Sequence, residues 1–96
     1  MPLALKPMPA RPLVLYSRPE GDFAEQDGHV ASIRRDQRRE LDVLTCSPSE
    51  ATRRLRTWVS STVPTILILR RGEIVGCAVG RLPRRELETL IHRALL

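Results

Sequence analysis

Two short apolar runs joined by a turn constrain the fold of this chain more than any other feature. Residues 65–69 read Thr-Ile-Leu-Ile-Leu, and residues 73–79 form a second run that is rich in apolar and β-branched side chains. Arg71 and Gly72 separate the two runs. Apolar runs of this length with a glycine-containing turn between them are typical of an antiparallel β-hairpin, which we predict here.

Amphipathic helices are predicted on both sides of this hairpin. Ser47, Pro48 and Glu50 supply a capping hydroxyl, a proline at the first helical position and a glutamate at the third. This combination satisfies free amide groups at a helix start and predicts a helix over residues 48–60. Its apolar face consists of Ala51, Leu55, Trp58 and Val59. A last helix is predicted over residues 83–96, with an apolar stripe of Leu87, Leu90, Ile91, Ala94 and Leu95.

The N-terminal half carries weaker signals. Residues 13–16 and 41–45 suit short strands, and residues 22–40 between them predict a helix on which Phe23, Val30 and Ile33 share a face. Gly28 weakens that helix by about 1 kcal/mol relative to alanine. The order is strand, helix, strand, helix, strand, strand, helix. Because a helical crossover makes the first two strands parallel and the hairpin adds an antiparallel edge, we predict an α/β fold with a four-stranded mixed sheet and three flanking helices.

Length and composition favour a single domain. A chain of 96 residues has room for one compact core. Residues 1–12 contain four prolines, so we expect an extended leader there and a domain over residues 13–96. No run has the length and apolar character of a signal peptide or a membrane span, and a cytoplasmic location without membrane contact is therefore expected.

The net charge of +5 raises the question of a polyanionic partner. Lys6 is the only lysine among the 16 basic residues, a skew that GC-rich codon usage produces without selection for binding. Tyr16, Phe23 and Trp58 are the only aromatic residues, and recognition of nucleic-acid strands usually adds several aromatic stacking platforms. We therefore expect a protein partner, acidic or presenting an extended peptide, and no nucleic acid.

The segment from Leu41 to the end resembles thioredoxin without a gap. The resemblance rests on Val-Pro-Thr at residues 63–65, Arg-Arg-Gly-Glu at residues 70–73, Val-Gly at residues 79–80 and the amphipathic last helix. Residues 16–19 and 62–64 also resemble glutaredoxins, which, like this chain, lack the extra N-terminal strand and helix of thioredoxins. The resemblance implies a minimal thioredoxin fold (β-α-β-α-β-β-α) in which Pro64 is a cis proline.

The chain departs from these families at the catalytic position. Their Cys-x-x-Cys motif would fall on residues 20–23 or 21–24, which contain no cysteine, and the buried acid of thioredoxins would fall on Val14. In this topology Cys46 and Cys77 would lie at opposite edges of the sheet, beyond disulfide reach. We interpret both as ordinary small side chains that are buried or half-buried, with neither placed at a helix N-terminus that would lower its pKa.

Three candidate sites follow. The first is the Pro64 loop, where the resemblance implies that the backbone of Val63 pairs with a peptide or with glutathione; it consists of Thr62, Val63, Pro64 and Thr65. The second is the degenerate active-site loop, which consists of Arg18, Glu20, Gly21, Asp22, Phe23 and Ala24. The third is a basic face, solvated or used to dock an acidic protein, which consists of Arg34, Arg35, Arg38, Arg39, Arg53 and Arg54. His29 and His92 have no neighbours at ligand spacing, so we expect no metal, no cofactor and no catalytic residue.

These observations predict a redox-inactive thioredoxin-like protein that acts as a protein-binding, assembly or regulatory module through the Pro64 loop or the basic face. One alternative is a thiol- or glutathione-dependent oxidoreductase that uses a non-standard cysteine. Another is a regulatory protein similar to the KaiB family, although the Arg-Arg-Gly-Glu turn argues against it. The oligomeric state stays open.

Overall fold

The computed structural model describes residues 11–36 and 40–95, and their elements follow the predicted order. These are β1 (Leu13–Ser17), α1 (Ala24–Arg35), β2 (Asp42–Cys46), α2 (Pro48–Leu55), β3 (Thr65–Arg70), β4 (Glu73–Val79) and α3 (Arg84–Ala94). The predicted leader lies outside the described residues, apart from Arg11 and Pro12. Within the described residues no helix is long and apolar enough to cross a membrane.

The strands form one mixed sheet in the order β2-β1-β3-β4. β1 pairs with β2 in parallel and with β3 in the antiparallel direction, and β3 pairs with β4 through the predicted hairpin. Arg71 and Gly72 both have positive φ angles, 53° and 81°, as a two-residue turn between twisted strands requires. The predicted α/β class with a four-stranded mixed sheet and three helices is therefore confirmed.

Alternating side chains of the central strands contribute to two hydrophobic cores, one on each face of the sheet. On one face, Val14 and Tyr16 of β1 and Ile66 and Ile68 of β3 pack with α1 and α3. On the other face, Leu15 and Leu67 pack with α2 and with Val59. The stripe of α3 behaves as predicted, because Leu87 and Ile91 are fully buried and Leu90, Ala94 and Leu95 pack around them.

Helix α1 is shorter than the predicted helix of residues 22–40. It ends at Arg35, and the amide of Asp36 closes the last turn on the carbonyl of Ile33 at 3.2 Å. Ile33 is the last apolar side chain on the buried face of α1, so continuation of the helix would bury nothing further. Glu40 is already outside a helix, and Gln37, Arg38 and Arg39 lie outside the described residues.

Helix α2 is also shorter than predicted. Its N-terminus is confirmed, since the Ser47 hydroxyl accepts a hydrogen bond from the Glu50 amide at 3.2 Å. The helix ends at Leu55, because Arg56 adopts a left-handed conformation with φ 53°. Val59 still packs in the core on the α2 face, but from the loop after the helix. Trp58, which was predicted on the apolar face of the helix, lies after its end and is 81% exposed.

Candidate functional site

Three connecting segments meet at one end of the sheet. Ser17 at the end of β1 pairs with Thr65 at the start of β3, and Thr65 pairs in turn with Val79 at the end of β4. The segments of residues 18–23, 59–64 and 80–83 therefore lie side by side. We call this end of the molecule the loop end.

A hydrogen-bonded triad joins β1 to α1 at the loop end. The Tyr16 hydroxyl donates to Oδ1 of Asp27 at 2.8 Å, and the Arg18 guanidinium forms a bidentate ion pair with the same carboxylate at 2.9 to 3.1 Å. The hydrogen bonds from Arg18 hold the pKa of Asp27 below its usual range, with a smaller contribution from Tyr16. Burial first, and then the hydrogen bond to Asp27, raises the pKa of Tyr16.

The triad defines the role of Arg18, which the sequence analysis placed in the degenerate active-site loop. In the structure the Arg18 guanidinium is paired with the Asp27 carboxylate of the chain itself. It also donates to the carbonyls of Pro19 and Gly21. Asp27 was not predicted as a site residue, and its position one helical turn after Phe23 was the available signal.

Phe23 belongs to the degenerate active-site loop, and one of the two expected registers of the Cys-x-x-Cys motif would place its second cysteine there. The guanidinium carbons of Arg18 and Arg81 lie 5.8 and 5.2 Å from the centre of its ring, within the range of cation–π attraction. Arg81 also donates to the carbonyl of Asp22 at 3.2 Å, and the Asp22 carboxylate accepts from the amide of Ala24 at 3.3 Å. An aromatic ring close to two cations therefore lies at the start of α1, and its side chain carries no nucleophilic group.

A polar seam connects α1 to the segment between β4 and α3. Oε1 of the buried Gln26 accepts from the amide of Leu82 at 2.6 Å, and Nδ1 of His29 lies 3.3 Å from the Leu82 carbonyl. Sequence reasoning missed Gln26, although it shares the helical spacing of Val30 and Ile33. The side chain of His29, for which the sequence predicted no ligand role, is mostly buried in this seam.

A surface pocket of about 430 Å³ lies beside this seam. Its walls combine the start of α1 with the segment after β4, and include Phe23, Glu25, His29, Arg81 and Pro83. Among the degenerate active-site residues, Asp22, Phe23 and Ala24 line it, whereas Glu20 and Gly21 are exposed in the preceding turn. The pocket offers an apolar wall together with charges of both signs.

The Pro64 loop differs from the expected conformation. No cis peptide bond occurs within residues 11–36 and 40–95, so the bond before Pro64 is trans and the expected cis proline is wrong. The trans form is intrinsically favoured, and here local contacts support it. The Ser60 hydroxyl accepts from the amides of Thr62 and Val63 at 3.3 Å, and the Pro64 carbonyl accepts from Gly80 at 2.7 Å.

These contacts limit what the Pro64 loop can bind. The amide of Val63, which the resemblance offers to a peptide, already donates to Ser60. Pro64 and Thr65 are buried, whereas Thr62 is exposed and the Val63 side chain is 37% exposed. The loop can therefore present an apolar side chain more readily than a strand-pairing backbone.

The two cysteines lie on the two outer strands, Cys46 in β2 and Cys77 in β4, as predicted. Cys46 is buried and precedes Ser47, the N-cap residue of α2. Its pKa is raised, by burial first and by the nearby Glu50 charge second, which agrees with the expectation that no helix start lowers it. Cys77 is exposed rather than buried or half-buried, because no helix covers its side of β4.

The basic face does not form as predicted. Arg34 and Arg35 end α1 on one face of the sheet, whereas Arg53 and Arg54 belong to α2 on the opposite face. Arg54 is also paired with Glu50 at 3.2 Å. Arg38 and Arg39 lie outside the described residues. The sequence could not separate the two groups, because the face that a helix covers depends on the crossover geometry.

Metal ligation has no support among the described residues, where no group of three or more His, Cys, Asp or Glu side chains is placed to hold an ion. His92 is exposed on α3, and His29 belongs to the polar seam.

Comparison with known proteins gives no family assignment. No family model matches the chain, and no curated protein sequence matches it at a significant level.

Proposed function

We propose that this protein is a redox-inactive thioredoxin-like binding module that holds a partner protein at the loop end of its sheet, in the cytoplasm. The observation that carries the proposal is the loop where the resemblance would place the Cys-x-x-Cys motif. This loop contains no cysteine, and the ring of Phe23 in it lies near the guanidinium groups of Arg18 and Arg81. A dithiol mechanism needs two sulfur atoms within disulfide reach, and the two thiols of this chain belong to opposite edges of the sheet.

The chemistry of Cys46 further supports a binding role over a thiol-dependent enzyme. Nucleophilic cysteines are exposed and have lowered pKa values, because the thiolate is the reactive species. Cys46 has the opposite properties, since it is buried and its pKa is raised.

The loop end has the features of a recognition surface. Val63 and Val79 expose apolar side chains on adjoining segments, and the pocket beside Phe23 adds a concave wall next to Arg81. Interfaces commonly combine an apolar centre with a charged rim. The triad of Tyr16, Arg18 and Asp27 keeps this surface in place before a partner arrives, which lowers the entropic cost of binding.

Two experiments test the proposal. In an insulin-reduction assay with dithiothreitol, the protein should not accelerate turbidity above the uncatalysed rate, and clear turnover would refute redox inactivity. In the second, the tagged protein and its Val63→Asp variant are used to purify partners from the native host. Ile74→Asp is the matched control, since Ile74 is similarly exposed at 44% but lies near the opposite end of the sheet. The proposal requires a stoichiometric partner that Val63→Asp loses and Ile74→Asp keeps.

A further inference from the structure

The outer edge of β4 presents hydrogen-bonding groups that no described residue uses. β4 is the last strand of the sheet. Gly80 donates to Pro64, directly opposite, and hydrogen-bonded pairs alternate along an antiparallel ladder. Gly76, Ala78 and Gly80 therefore direct their backbone groups toward β3, while Cys77 and Val79 direct theirs away from the sheet.

The two faces of the sheet beside the edge of β4 differ in the side chains that pack on them. Cys77 and Val79 pair with Leu67 and Thr65, so their side chains lie on the α2 face, where the core cluster contains no residue of β4. Both side chains are exposed, Val79 by 65%. On the opposite face, a groove of about 370 Å³ runs between β4 and α3, with Ala78, Leu82 and Leu90 in its wall.

Basic residues surround the same edge. Four exposed arginines lie near it, in the β3–β4 turn and along α3, against two exposed glutamates, Glu73 and Glu86. The arginines are Arg70, Arg71, Arg85 and Arg93. Edge strands that avoid pairing usually carry charge or proline on the strand itself, and between Gly76 and Gly80 this strand has neither.

We propose that the edge of β4 receives an extended, acidic segment of a partner protein as a fifth strand. Pairing with both outward residues forms up to four backbone hydrogen bonds, and alternate side chains of the segment contact the groove on one face and Cys77 and Val79 on the other. Acidic residues in the segment match the arginines. The irregular pairing at Ile68 and Leu69 leaves Val75 without a partner, so the receptive edge begins at Gly76.

The charge distribution selects this occupant over a second copy of the chain. A second β4 would bring another four arginines to an edge that is already positive, in a chain of net charge +5. An acidic segment reverses the sign of that interaction. The inference rests on the proposed binding function and specifies the chemistry of the partner. Its site, however, is the edge of β4 and not the Pro64 loop.

Synthetic peptides test the inference without altering the protein. The probe is a fluorescein-labelled decapeptide with valine at every second position and glutamate and threonine between them. Two control peptides have lysine for glutamate, or N-methyl groups on alternate residues so that one edge loses its donors. We expect the acidic probe to bind, and each control to bind at least about tenfold more weakly, because paired charges or about two hydrogen bonds are lost.

Amide hydrogen exchange locates the binding. In the free protein, Gly76 and Ala78 should be protected and Cys77 and Val79 should exchange rapidly; the acidic probe should protect Cys77 and Val79. Binding of the probe without this protection overturns the inference, and so does equal binding of the lysine control. Protection of both amides in the free protein, together with a dimer in analytical ultracentrifugation, overturns it in favour of self-pairing. If the acidic probe does not bind while Val63→Asp still abolishes partner capture, the inference about the β4 edge is refuted and the proposed function stands.

Discussion

Tyr16 donates its phenolic hydrogen to the Asp27 carboxylate across 2.8 Å, which joins the central strand β1 to the first turn of α1. Tyr16 is 1% exposed, whereas the Asp27 side chain is 38% exposed, so the hydrogen bond lies at the boundary of the core. The same carboxylate receives Arg18, which in turn contacts Phe23. One buried hydroxyl therefore helps to hold the degenerate active-site loop in place.

Replacement of Tyr16 by phenylalanine should lower the free energy of unfolding by about 1 kcal/mol, the usual net value of one hydrogen bond, because the ring keeps its packing and only the hydroxyl is lost. Urea denaturation followed by circular dichroism measures the change. Asp27→Ala alone and the double variant complete a double-mutant cycle. Strictly additive effects of the two substitutions would show that the hydrogen bond contributes nothing to stability.

Acid should destabilise the protein partly through Asp27. Since the Arg18 hydrogen bonds lower the pKa of this carboxyl in the folded state, its contribution is present above the unfolded pKa of about 3.9 and is lost as pH falls through the lower folded pKa. Thermal unfolding measured from neutral pH to about pH 2 should show a smaller acid-induced fall for Asp27→Asn than for wild type. Parallel curves for the two proteins would contradict this assignment.

The alkaline limit should depend on Tyr16, the only tyrosine in the chain. Burial and the Asp27 carboxylate raise its pKa, so the stabilisation is complete below the unfolded pKa of about 10 and is lost as pH rises toward the higher folded value. Ultraviolet absorbance of tyrosinate should therefore appear only well above pH 10 and together with unfolding. Ionisation near the ordinary tyrosine pKa in a folded protein would contradict the buried placement.

The two thiols should react with iodoacetamide at different rates. Cys77 is exposed, whereas Cys46 is buried and has a raised pKa, so we expect alkylation of Cys46 to be at least about tenfold slower at neutral pH. Mass spectrometry of Cys46→Ser and Cys77→Ser measures each thiol separately. Faster reaction at Cys46 than at Cys77 would reverse our interpretation and favour the thiol-dependent alternative.

The fold was predictable because its signals are local. The hairpin around Gly72, the Ser47 cap and the apolar stripe of α3 each depend on a short stretch of the sequence. All three appear in the structure. The residues at which α1 and α2 end are not determined by local sequence, because they depend on how far the sheet provides a surface on which the helix can be buried. For the same reason Trp58 keeps helical spacing in the sequence yet lies outside α2 and is exposed.

The candidate site was only partly predictable. The sequence located the degenerate loop, and Phe23 and Asp22 do line the pocket there. It did not predict the ion pair between Asp27 and Arg18, because that contact joins residues on two elements whose relative position is set by packing. The expected cis proline came from a resemblance and not from the residues, and the Ser60 contacts with the Pro64 loop support a trans bond instead.

Two glycines should respond to substitution in opposite ways. A Cβ at Gly28 meets no atom within 4 Å, so Gly28→Ala should stabilise α1 by about 0.5 to 1 kcal/mol through helix propensity alone. A Cβ at Gly76 would lie 3.3 Å from the Ala94 Cβ and 3.4 Å from terminal methyl groups of Ile68 and Leu90.

Gly76→Val adds two further methyl groups at that contact, and we expect it to cost about 1 to 3 kcal/mol by forcing α3 away from β4. Ala94→Gly opens space opposite residue 76, so the double variant should recover part of the loss, which chemical denaturation of all four proteins can measure. Recovery would establish that α3 packs directly on β4 at this glycine. A fully additive double variant would mean that the valine is accommodated elsewhere and that Gly76 does not set the distance between the helix and the sheet.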